Sequence, residues 1–364
     1  MATESLSLAP PVAERPGPIG WTRRNLFATP FDVALTILIA LFLLWIVPPL
    51  VRWGVVDASF TAPNRDLCPA DGACWGIVRD RFHQYLFGLY PVDQYWRIFA
   101  GGLLLILGCV PLAVRRFPHK VLYGVAFMVI YPYVASWLFE GGGPIQPVID
   151  TPLWGGLFLT LIISIVGIVA SFPIGIALAL GRRSTMPVIR ALCVAFIELV
   201  RGVPLVTVLF MASVMLPLFL PPGWSIDKLM RALVGVSLFS GAYMAEVIRG
   251  GLQALPKGQY EAASALGLTY WQSMRLVILP QALRLVIPGI VNSFISLFKD
   301  TSLVFIMGLY DLLGISRLIV TSKEWLGHDI ESYIFAAFGF WIFCFAMSRY
   351  SQRLERRLHT GHRH

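Results

Sequence analysis

Residues 261–284 read EAASALGLTYWQSMRLVILPQALR. In a chain that is 57% hydrophobic, this stretch carries Glu261, Arg275, Arg284 and two glutamines between two apolar runs. It specifies two short helices. Pro256 suits a helix start, and the Ala, Glu, Gln and Leu that follow are good helix formers. Gly267 then supplies a left-handed C-terminal cap. Thr269 offers an N-cap with Gln272 three residues on, the spacing of a capping box. The second helix, TYWQSMRLVIL, is expected to stop or bend at Pro280. Ala262, Ala263, Ser264 and Ala265 leave one face small enough for another surface to approach closely. Such a stretch reads as a docking element, not a catalytic site.

The surrounding chain is membrane-like. Its 364 residues are only 13% charged, and the mean hydropathy of +0.72 points to a polytopic membrane protein. A crossing helix needs about 20 mostly apolar residues. Spans are expected at 32–52, 98–115, 121–139, 154–180, 191–220, 231–248, 285–305 and 332–348, the fifth interrupted by Gly202 and Pro204. The first begins only near Phe31, so it reads as an uncleaved span rather than a signal peptide.

Eight spans put both termini on one side, and charge selects the side. The N-terminus, the 115–120, 181–190 and 249–284 loops and the tail hold 18 of the 29 Lys and Arg, against nine in the opposite loops. Positive residues gather in cytoplasmic loops, which places both termini in the cytoplasm. The net charge of +9 is therefore mainly a topology signal. The basic tail RLERRLHTGHRH reads as a cytoplasmic anchor beside the last span rather than a nucleic-acid arm.

Four sections follow. Residues 1–31 form a cytoplasmic segment. Residues 32–150 hold three spans and a periplasmic loop at about 53–97. Residues 151–350 hold five spans with a cytoplasmic loop at 249–284, and 351–364 is the basic tail. The Gly/Pro-rich stretch GGGPIQPVIDTPLWGG separates the second and third sections. The first three spans carry no expected intramembrane charge, which favours a scaffolding role. Cys68 and Cys74 lie in the outer loop, where a disulfide can persist; two unpaired thiols are the alternative. Cys109, Cys193 and Cys344 fall in apolar spans as packing residues. No metal site is expected, because no further Cys or His stands at ligand spacing.

The full spacing of the opening stretch carries a resemblance. EAA, three residues, Gly267, nine residues and then Val277-Ile278-Leu279-Pro280 resembles the EAA loop of the membrane subunits of bacterial ABC importers. Glu198-Leu-Val-Arg201-Gly-Val-Pro204-Leu205, GAYMAEVIRGG at 241–251 and Lys299-Asp300-Thr301-Ser302-Leu303 resemble signatures of the polar amino-acid (histidine/glutamine-type) permeases. The three extra N-terminal spans resemble the longer permease subunit of general L-amino-acid importers. Val206-Thr207-Val208 departs from many relatives, which carry a Gln before Leu-Phe.

This resemblance implies an all-α polytopic fold, a type I importer core of five spans with three added before it. It implies an inner-membrane subunit importing L-amino acids, with ATPase subunits, a second permease half and a periplasmic binding protein as partners. Tyr260, Glu261, Ala262, Ala263, Leu266 and Gly267 would couple to the ATPase. The chain contains no G-x-x-x-x-G-K-[ST] loop, so ATP and Mg would be held by the partner ATPase and no cofactor by this chain.

Charges in apolar runs mark the rest of the candidate site. An ionised group at a span centre costs roughly 2.5–3.5 kcal/mol, which a Leu or Ile offsets by only about 0.3–0.6. Glu198 and Arg201 are three apart and face one side of a helix, so they form an intrahelical pair or stand at the mouth of the pathway. Lys299 and Asp300 point about 100° apart and pair poorly with each other. With Thr301 and Ser302 they supply the groups an amino-acid zwitterion needs, unless this helix end simply reaches the outer surface. Glu246 and Arg249 read as a structural ion pair. A polytopic enzyme or an ion channel is the competing class. The first lacks a mid-span His or nucleophile cluster, and the second lacks a filter-like repeat.

Overall fold

The computed structural model describes residues 17–114, 116–142 and 147–359. Residues 1–16 of the expected N-terminal segment, linker residues 143–146 and the end of the basic tail, 360–364, lie outside the described residues. The described chain is almost wholly helical and divides into two compact units, Met1–Ala62 with Asp66–Trp75 and Pro63–Arg65 with Gly76–His364.

In the first unit, helix α1 (Pro18–Leu26) precedes helix α2 (Pro30–Val51). Thr29 and Asp32 form a reciprocal capping box, and Pro30 occupies the first turn, where its missing N–H costs nothing. A π turn at Arg52–Val56 extends this apolar helix. The chain then folds back. Ser59 N donates to Ala73 O at 2.8 Å, Trp75 N donates to Ser59 O at 2.7 Å, and the Trp75 indole donates to Gly54 O at 2.8 Å. Cys68 and Cys74 are disulfide-bonded across this loop, with Cα atoms 5.6 Å apart.

The second unit is a helical bundle. Its helices include α3 (Tyr95–Ala113), α4 (Lys120–Glu140), α5 (Gly156–Arg182), α6 (Pro187–Gly202), the short α7 (Leu205–Phe210) and α8 (Lys228–Ala254). Short helices α9 (Lys257–Ala265), α10 (Tyr270–Ser273) and α11 (Leu279–Leu285) lead to α12 (Ile287–Asp300), α13 (Leu312–Val320) and α14 (Asp329–His359).

Helices α5 and α8 form the centre. Ser164, Gly167, Ser171, Gly175 and Ala179 follow one another along the buried face of α5, and Ser237, Gly241 and Ala245 repeat every fourth residue on α8. In a bilayer, apolar burial does not drive helices together, so small residues that permit close van der Waals packing do. A Cβ built on Gly175 would stand 2.6 Å from Met244 Cγ. Helix α4 joins this core through Leu138 and Phe139, which pack with Trp154 and Phe158 at the start of α5.

Among the described residues, seven helices are long and apolar enough to cross a membrane. The expected span at 191–220 is not one helix. Pro187–Gly202 and Leu205–Phe219 meet at 103°. Pro204 has no N–H to continue the ladder, and it drives Val203 to φ −112°, ψ 137°, outside the helical region. The second apolar helix begins before the expected span at 98–115 and so takes in one charge. Arg97 lies in the first turn of α3, fully buried, and donates to Pro147 O at 3.1 Å.

Outside the spans, Asp311 accepts from Gly314 N at 2.8 Å and so caps α13, while its Oδ2 has no hydrogen-bond partner among the described residues. Burial pushes this carboxyl up to about 6.

Candidate functional site

The break between α6 and α7 lines a cavity of about 830 Å³, with α8 and α12 supplying its other walls. From α12 it receives Asn292, Ser293, Ser296 and Asp300, which recur at helical spacing and form one polar stripe along the helix. From α8 it receives Ser240 and Tyr243, three apart and on one face. Arg201, the last charged residue before the break, lies on the wall with its guanidinium 5.5 Å above the Tyr243 ring. The cavity thus offers a cation, a carboxylate and several neutral hydrogen-bonding groups.

Asp300 is the only member of 299–302 on this wall. Lys299 is exposed, about 100° around the helix from Asp300. Thr301 is buried and its hydroxyl donates to Phe298 O at 2.8 Å, while the Ser302 hydroxyl donates to Lys299 O at 3.0 Å. The chain tightens into a 3-10 segment from Thr301 to Met307, which turns both hydroxyls back on the preceding turn.

The Glu198–Arg201 pair offered by their spacing does not form. Arg182, at the end of α5, reaches Glu198 Oε1 at 3.0 Å and Glu246 Oε1 at 2.8 Å. Arg249 binds Glu246 Oε2 at 2.8 Å, the expected structural pair, and Arg201 lies 3.7 Å from the same oxygen. Three cations therefore converge on one carboxylate that is only 15% exposed. Glu198 is exposed and does not line the cavity.

Just beyond the C-terminal end of α8, helix α9 carries the EAA residues. Its C-terminus is a Schellman cap: Gly267 N donates to Ser264 O and Leu268 N to Ala263 O, with Gly267 at φ +73°. Thr269 and Gln272 form the expected capping box. Of the stop or bend expected at Pro280, the stop is not seen. A π turn at Met274–Ile278 takes up the register before Pro280, and the chain stays helical to Leu285. Glu261, Ala262, Leu266 and Gly267 are exposed. Ala263 is instead buried, and Tyr260 turns inward to pack beside Leu252 and Leu255.

Residues 171–360 match the family described as "Binding-protein-dependent transport system inner membrane component". The match takes in α9, the α6–α7 break and the cavity wall. This chain belongs to that family.

The permease is 54% identical over 342 residues to the "Inner membrane amino-acid ABC transporter permease protein YhdY" of Escherichia coli, covering 94% of this chain and 93% of that one. It is 42% identical over 429 residues to the "Glutamate/glutamine/aspartate/asparagine transport system permease protein BztC" of Rhodobacter capsulatus, covering 99% and 98%. Among solved structures it aligns with "Crystal structure of an amino acid ABC transporter with histidines", at 27% identity and a TM-score of 0.49, over 64% of this chain and 98% of that one. The all-α, multi-span architecture expected of an importer permease is the one observed, and the permease is an inner-membrane protein.

Several residues of the permease's site escape a reading of its sequence. Asn292, Ser293 and Ser296 are neutral, so they lack the large insertion penalty of an ionised group; their spacing with Asp300 marks them. Arg182 looks like an ordinary loop cation following a span. Arg231, nearly buried in α8, donates to the carbonyls of Ala212 and Ser213, and that role depends on where the broken span folds.

Proposed function

We propose that this permease conducts L-amino acids inward, with Arg201 and Asp300 facing the zwitterion's carboxylate and ammonium in the cavity. The observation that carries the reading is the placement of these opposite charges on one cavity wall set, with Ser and Asn groups between them. A zwitterion leaving water needs both charges met, and a polar site inside a membrane bundle is a substrate path by default. The two relatives with long matches are named as amino-acid permeases, which supports the substrate class.

In this reading both termini and α9 are cytoplasmic. The exposed Glu261, Ala262, Leu266 and Gly267 meet a separate ATPase subunit, which holds ATP and Mg. A second permease half completes the pathway, and a periplasmic binding protein delivers the substrate. Contacts that differ between the two conformations drive the switch, since equal contacts would shift nothing.

Asp300→Ala is the direct test. Uptake of labelled amino acids is expected to fall at least about tenfold, the scale of one lost charged contact, while assembly and basal ATP hydrolysis persist. Normal uptake of every amino acid tried would remove Asp300 from the path.

A further inference from the structure

Tyr260 is one residue from Glu261, yet its side chain points away from the docking face. Its hydroxyl donates to Leu252 O at 2.8 Å, near the end of α8. Arg183, which follows the last residue of α5, donates to the same hydroxyl at 2.9 Å and to the same carbonyl at 3.3 Å. The guanidinium also lies 5.3 Å from the Tyr260 ring centre. Three elements, α5, α8 and α9, thus meet at one hydroxyl and one guanidinium. A helix that needed only to rest on the bundle could present a small apolar side chain there, as it does at Ala263.

The neighbour of Arg183 in the chain is Arg182, which binds Glu198 and Glu246. Glu246 in turn faces Arg201 on the cavity wall. We propose that Arg183 and Tyr260 are a positioning pair through which movement of α9 reaches the Arg182–Glu246–Arg201 ion network beside the cavity. The network suits that task because three arginines share two carboxylates. Shifting Arg182 redistributes Glu246 between its partners. The Arg201 contact, 3.7 Å long and without a hydrogen bond, is the one that gives most readily. The proposal rests on the importer reading above and adds the residues that carry its coupling.

Spatial continuity alone does not establish coupling, so the test is a double-mutant cycle. The complete complex, with its ATPase and both permease halves, is reconstituted in liposomes with the binding protein. ATP hydrolysis and amino-acid uptake are measured for wild type, Tyr260→Phe, Arg183→Met, the double variant and Arg183→Lys. Tyr260→Phe and Arg183→Met are expected to lower uptake per ATP about three- to tenfold, the scale of one or two lost hydrogen bonds. ATPase co-purification and basal hydrolysis are expected to hold. The double variant should be no worse than the poorer single one, and Arg183→Lys, which keeps a cation over the ring, should recover part of the loss.

An unchanged ratio, losses that multiply in the double variant, or uptake and hydrolysis falling together would each overturn the pair. So would failure of Tyr260→Phe to bind the ATPase, because that would make Tyr260 a docking residue. Wild-type uptake tests the importer reading, and the ratio of variant to wild type tests the pair.

Discussion

Asp311 shows how a single residue can set a pH dependence. Burial raises its carboxyl to about 6, above the unfolded value near 4. The folded chain therefore binds the proton more tightly than the unfolded one. The associated stability is fully present below about pH 4 and is lost as pH rises through about 6. Asp311→Asn keeps an oxygen for the Gly314 cap and carries no charge. Its melting temperature in detergent should vary less between pH 4 and 6.5 than wild type, and the variant should gain about 1–3 kcal/mol relative to wild type at the upper end. An unchanged slope would contradict the assignment.

Glu246 and Glu198 give a second contrast between residues. Glu246 is largely buried under three guanidinium groups, so Glu246→Gln strands their charge and should cost about 2 kcal/mol. Glu198 is 56% exposed, so Glu198→Gln should cost less than about 1 kcal/mol. Chemical-denaturation midpoints in one detergent would compare the two. Sequence spacing paired Glu246 with Arg249, as observed, but offered Arg201 for Glu198, where the structure places Arg182. Three residues of separation allow a Glu198–Arg201 contact, but the orientation of α6 against α5 places Arg182 nearer.

Among elements, α9 was legible nearly to the residue, because caps are local chemistry. Gly267 sits at φ +73° with nothing within 4 Å of a Cβ built there. The cost of a side chain is thus conformational and not steric. Gly267→Ala should weaken the end of α9 by about 1 kcal/mol, whereas Gly267→Asn should cost less, since Asn tolerates the left-handed region. Gly267→Asp should leave membrane insertion intact and lower ATPase association or coupled uptake; uptake at wild-type level would remove the mechanical role of this cap. The helix after it was less legible. A proline signals interruption, but a π turn ending two residues earlier precedes it, and Met274, Ile278 and Ala282 pack into the bundle there.

For the whole molecule, the distribution of Lys and Arg predicts which loops face the cytoplasm. A cysteine placed at Gln259 should resist a membrane-impermeant thiol reagent added to intact spheroplasts, and one at Ser225 should react. Replacing the three unpaired native cysteines first keeps the readout clean. The reverse labelling pattern would invert the orientation and remove α9 from the ATPase side.

The sequence by itself determined the apolar segments, the caps of α9, the family and the presence of charges in apolar runs. Each of these follows from hydropathy, turn chemistry or spacing along one stretch of chain. The tertiary structure decided the rest: the 103° break, the pairing of Arg182 with Glu246, the inward turn of Tyr260, and Asp300 rather than Lys299 on the cavity wall. Each residue rotates about 100° around its helix. Which group meets which partner therefore depends on how the helices turn against one another, and that orientation is set by packing between segments far apart in the chain.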